Sequence, residues 1–155
     1  MAWWEDVVAE EPAFAARVKA LFLARKHSTL ATLRRDGSPR ISATEVDFGG
    51  GGLWLNSMPN ALKALDLRRD PRFALHCPTE DTPDENPGSW PGDAKLAGRA
   101  HEVGTASGVG SGAGDAHRFR LELTEVVLTR VAESGDHLVI ETWHPGRGLQ
   151  LLTRR

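Results

Sequence analysis

The chain contains no tyrosine, two methionines and one cysteine, and only four of its 19 basic residues are lysine. The lone Cys77 excludes an intramolecular disulfide and a thiolate-based zinc site, and its apolar surroundings point to a buried structural thiol. No apolar run approaches the ~20 residues of a membrane-spanning helix. Trp3 and Trp4 are followed by Glu5, Asp6, Glu10 and Glu11, whereas a secretory signal begins with basic residues. The expected location is therefore cytoplasmic. A formal charge of −2 supplies no attraction for nucleic acid or an anionic membrane, and the arginines are scattered. What is present is ordinary: 155 residues, 40% hydrophobic and 26% charged, which fits a single globular domain over 1–155.

Hydrophobic periodicity divides the chain. Residues 1–27 read as one helical lid, with Pro12 in a first turn, Phe14, Val18, Leu21 and Phe22 on one face, and Lys26 and His27 at the C-terminal end. Strands are expected at Ser28–Leu33, Pro39–Phe48, Leu53–Ser57, Phe73–Cys77, Asp93–Val103, His117–Val131 and Asp136–Trp143. Ile41 and Ala43 mark one face of the second strand, Val46 and Phe48 the other, which predicts a bulge or bend. Pro59–Arg69 reads as a short helix with Ala61, Leu62 and Leu65 on its apolar stripe and Lys63, Asp66 and Arg69 off it. Residues 78–92, rich in proline and acid, and the Gly/Ser-rich 104–115 read as loops. About seven mostly antiparallel strands with few helices describe a mainly β protein, a closed or partly closed barrel.

Two segments could hold a ligand. At Asn56-Ser57-Met58-Pro59-Asn60-Ala61-Leu62-Lys63 a strand runs into a helix start, where free N–H groups, Ser57, Asn60 and the Lys63 ammonium suit a phosphate. A plain helix cap with a solvated lysine fits the same residues. Along Arg40-Ile41-Ser42-Ala43-Thr44-Glu45, small hydroxyls on the Arg40 side could border a planar ring; an ordinary strand with a solvated polar face is the alternative. Gly108–Ala113 matches a dinucleotide-binding G-x-G-x-x-A pattern but leads into a strand rather than a helix. His76, His101, His137 and His144 lack metal-ligand spacing. Trp143 ends the last expected strand and His144 follows it; on the substrate side of a site the indole could stack on a bound ring, and packing in the core is the alternative. No residue stands out as an acid, base or nucleophile.

Taken in order, Leu30-Ala31-Thr32-Leu33 with Asp36-Gly37-Ser38-Pro39-Arg40, Leu53-Trp54-Leu55-Asn56-Ser57 with Lys63 and Leu67–Arg72, and Gly98–Val103 resemble the pyridoxamine 5'-phosphate oxidase-like split β-barrels. The resemblance implies FMN, or the deazaflavin coenzyme F-420, at the interface of a homodimer, and hydride or electron transfer with a small molecule. It places the strand Arg40 to Glu45, with Arg40, Ile41, Ser42 and Thr44, along the ring system, Trp54, Leu55, Asn56 and Ser57 at the ribityl-phosphate end, and Lys63 on the phosphate, where the helix-start reading adds Asn60. The oxidase pattern has an arginine directly before that lysine; here the residue is Leu62. A non-catalytic flavin or haem binder, or a dimeric barrel without cofactor, are the readings of other classes.

Overall fold

The computed structural model describes residues 1–106 and 116–155, and its first feature follows from one proline. Pro12 disfavours helical backbone at the residue before it, and Glu11 leaves the helical region (φ −137°, ψ 70°). The lid is therefore two helices, α1 (Trp4–Glu10) and α2 (Pro12–Leu23), where the sequence predicts one. Phe14, Val18, Leu21 and Phe22 are buried as expected, and α2 stops at Leu23, short of Lys26.

Eight strands follow: β1 (Ser28–Leu33), β2 (Pro39–Asp47), β3 (Trp54–Ser57), β4 (Arg72–His76), β5 (Asp93–Ala106), β6 (Ala116–Val131), β7 (Leu138–His144) and β8 (Gly148–Arg154). They form one antiparallel sheet in the order β3-β2-β1-β4-β5-β6-β7-β8, and a β3–β6 pairing closes the first six into a barrel. The split lies in β6. Its N-terminal half pairs with β3 and its C-terminal part, from Val126, with β7, while β5 lies along its other edge. The barrel and the two N-terminal helices enclose one apolar cluster that includes Phe14, Phe22, Leu30, Leu55, Leu75, Phe119 and Trp143.

β8 is absent from the sequence expectation. The chain reverses at Pro145–Arg147 and pairs back on β7, but β8 buries almost nothing, so its alternation carries no burial signal. β5 extends to Ala106, into the stretch read as a loop from residue 104; the rest of that loop and the G-x-G-x-x-A match lie outside the described residues.

β2 has no bulge: its registers with β1 and β3 are continuous. The side chains of Arg40, Ser42, Thr44 and Val46 share the more buried face, and Ile41 and Ala43 are exposed. The change of apolar phase reflects polar residues pointing inward, not a break in the backbone. The register shifts sit in β5, one of them at Ala97/Gly98. There a Cβ on Gly98 would lie 1.8 Å from the Glu122 carbonyl oxygen.

α3 (Leu62–Arg69) begins three residues later than expected. Asn60 has a left-handed φ of 59°, which no helix continues through, so Pro59 and Asn60 form a turn. The helix is also rotated relative to its sequence pattern. It buries Ala64, Asp66 and Leu67, and leaves Leu62 and Leu65 exposed.

Candidate functional site

A strand inside a sheet has both edges hydrogen-bonded, and β2 does not. It pairs with β1 along Pro39–Thr44 but with β3 only along Glu45–Asp47. Along Arg40–Thr44 the edge on the β3 side is thus free of strand. After β3 the chain turns at Pro59–Asn60, and the start of α3 faces that edge. Between them is a cleft of about 590 Å³, lined by β2 from Ala43 to Asp47 and by His27, Asn56, Ser57, Met58 and Lys63.

The polar groups of this cleft are incompletely satisfied. Lys63 Nζ donates to the Ala43 carbonyl at 2.8 Å and makes no ion pair among the described residues. Burial lowers its pKa, and the charge of Glu45 acts the other way. Glu45 itself faces Lys26 and His27 at 3.4 and 3.7 Å. Ala61, the residue before α3, offers no side-chain cap, so the first N–H groups of the helix lack the usual capping oxygen. Thr44 Oγ1 and Ser28 Oγ are cross-strand partners, both buried and neither hydrogen-bonded. An orphaned buried hydroxyl costs about 1–3 kcal/mol. A free strand edge, orphaned hydroxyls and a half-buried cation fit a polar, anionic ligand.

Of the residues singled out in the sequence, the structure gathers Thr44, Asn56, Ser57 and Lys63 at this cleft. Ser42 is half-buried beside it, and Ile41 is exposed. Arg40 turns away and donates from Nε to buried Asp66 at 2.7 Å. Leu55 belongs to the core. The Trp54 indole N–H donates to the Gly49 carbonyl, and the Arg118 guanidinium lies 4.5 Å from its ring, so that face is taken. Trp143 is fully buried and donates to Glu10 at 2.9 Å, which makes it a core residue locking α1 to β7. His144 contacts Glu125 at 3.1 Å and does not line the cleft.

Asn60 acts through its backbone, whose N–H donates to His117 Nε2 at 3.1 Å. That bond makes Nε2 the acceptor and leaves Nδ1 to donate to Glu102 at 3.2 Å. Glu102 also accepts two bonds from Arg68, at 2.6 and 2.8 Å. These bonds, partly opposed by burial and aided by His117, pull its carboxyl down to about 2. The Asn60–His117–Glu102–Arg68 chain ties both ends of α3 to β5 and β6. Sequence reading missed His117 and Glu102 because only the β3–β6 closure brings them to α3.

No protein-family model matches the chain, and no curated protein matches it. Solved structures do. An FMN-binding protein of Nostoc punctiforme, related to pyridoxamine 5'-phosphate oxidase, aligns over 94% of this chain and 96% of its own, with a TM-score of 0.62 at 12% identity. An F-420 reductase aligns over 68% of this chain and 92% of its own (TM-score 0.51, 17% identity). The haem storage protein HutZ of Vibrio cholerae covers 74% and 89% (TM-score 0.53, 19% identity). At these identities the likeness is one of fold. The closed six-stranded barrel, the divided edge of β6 and the helices packed on it make this chain a split barrel of the pyridoxamine 5'-phosphate oxidase-like fold.

Proposed function

We propose that the chain binds a flavin-type cofactor, FMN or the deazaflavin coenzyme F-420, in the cleft between β2 and α3, and serves as an oxidoreductase for a small molecule. The observation that carries this reading is the free edge of β2 facing a half-buried Lys63, which reaches the Ala43 carbonyl but makes no ion pair among the described residues. Open backbone donors and acceptors complement the polar rim of a planar ring. Thr44 Oγ1 gains a partner, and Lys63 with the uncapped start of α3 neutralises a phosphate. A bound flavin supplies the hydride or electron chemistry, and the protein contributes position and electrostatics. Ile41 and Met58, exposed next to the cleft, are the apolar contacts a second copy would cover, and a homodimer would complete the site.

A non-catalytic carrier of flavin or haem is the second reading, favoured by the cleft position of His27, a ready axial ligand. Steady turnover of bound flavin between an external reductant and an acceptor separates enzyme from carrier. Quenching of flavin fluorescence tests the binding itself. Lys63→Ala is expected to weaken FMN by about ten- to a hundredfold, or roughly 1.5–3 kcal/mol. Riboflavin, which lacks the phosphate, is expected to bind both proteins alike. Equal loss of the two ligands would mean that Lys63 acts through the fold.

A further inference from the structure

On the other flank of α3 lies a second cavity, of about 540 Å³, that the proposed flavin site does not use. Its walls are the exposed Leu62 and Leu65 of α3, the guanidiniums of Arg34, Arg35, Arg40 and Arg69, and the Asp36 carboxylate, whose Oδ1 accepts from the Ser38 N–H and Oγ. Asp66 lies at its base with every near donor spent on it: Thr32 Oγ1 at 2.8 Å, Arg40 Nε at 2.7 Å and Arg69 Nη2 at 3.1 Å. Asp66 therefore offers the cavity no free acceptor and instead fixes two arginines. Arg40 is held through Nε alone, so both of its Nη groups remain unpartnered among the described residues. Arg35 makes no hydrogen bond or ion pair there either. A guanidinium anchored by a buried carboxylate, with its Nη fork open, is prepared for an oxyanion.

We infer that this groove is a binding site for an amphipathic anion, a phosphate or carboxylate carrying an apolar body. The anion meets Arg40 and Arg35, and the apolar body lies on Leu62 and Leu65.

Calorimetric titration of the full chain with octyl phosphate tests the inference, with octanoate, octanol and inorganic phosphate as comparisons. Octyl phosphate and octanoate, compared directly, distinguish phosphate from carboxylate ligands. Octyl phosphate should bind at least tenfold more tightly than octanol or inorganic phosphate. Arg40→Gln and Arg35→Gln should each weaken it several-fold or more. Leu65→Ser should weaken octyl phosphate but not inorganic phosphate. Arg35 and Leu65 are exposed, so their variants keep the test valid even where Arg40→Gln perturbs the fold. The octyl phosphate titration is read without FMN and stands whether or not the flavin proposal holds; where FMN binds, Arg35→Gln and Leu65→Ser should leave its affinity unchanged. Equal octyl phosphate affinity across wild type and variants overturns the inference. So does competition between octyl phosphate and FMN, which would make the groove part of the first cleft.

Discussion

Replacing Asp66 by asparagine should be among the most damaging single changes in the protein. Asp66 is 3% exposed and its carboxylate binds Arg40, Arg69 and Thr32. Asparagine keeps the size and an acceptor for Thr32 but leaves two guanidiniums, 21% and 32% exposed, without their counter-charge. Removing one partner of a buried ion pair costs about 3–5 kcal/mol. Arg40 and Arg69 retain some access to water, so about 3 kcal/mol is expected. With a urea m-value of about 2 kcal/mol/M, the midpoint falls by roughly 1.5 M. Burial alone would raise the Asp66 pKa, but the bonds from Arg40, Thr32 and Arg69 outweigh it and hold the carboxyl below its ordinary 3.8. A depressed carboxylate stabilises the fold above the unfolded value and loses that contribution as pH falls through the folded one. Acid should therefore destabilise the wild type below about pH 4 more steeply than Asp66→Asn. A loss under about 1 kcal/mol, or an unchanged acid profile, would refute the role given to this cluster.

Gly98→Ala should also destabilise strongly, by about 3 kcal/mol in thermal or urea unfolding, because the new methyl collides with the Glu122 carbonyl. Glu102→Gln should flatten the loss of stability between about pH 5 and pH 2, the range between its ordinary 4.5 and its folded value of about 2. Screening at this partly exposed pair limits the effect to about 1 kcal/mol. Light scattering at micromolar concentration should give a dimer, and a monomer throughout would count against a site completed by a second chain.

Much of the fold is legible where burial follows a simple period. Phe73, Leu75 and Cys77 alternate and are buried, as are Leu96, Gly98 and Ala100. The division of the lid at Glu11 escapes the apolar periodicity, although Pro12 disfavours helical backbone at that residue. The candidate site is legible as a place, through the Thr44, Asn56, Ser57 and Lys63 set, but not in its details. α3 is rotated away from its hydrophobic stripe because Asp66 finds Thr32 and Arg40, 34 and 26 residues away in sequence. Local periodicity contains no term for such pairs. The same holds for Asn60, read as a side-chain donor, whose contribution is a backbone bond to His117 across the barrel closure. Trp143 sits on a correctly identified strand, but its partner Glu10 lies 133 residues earlier.

The flavin proposed above is assigned to the cleft between β2 and α3. Amide chemical-shift mapping of the isotope-labelled protein during titration with FMN, and separately with coenzyme F-420, tests it most directly. The amides of Ile41–Glu45, Leu62 and Lys63 should move together with saturable affinity for at least one cofactor, while those of β7 and β8 stay in place. Shifts confined to other strands, or none at millimolar concentration of either cofactor, would contradict it.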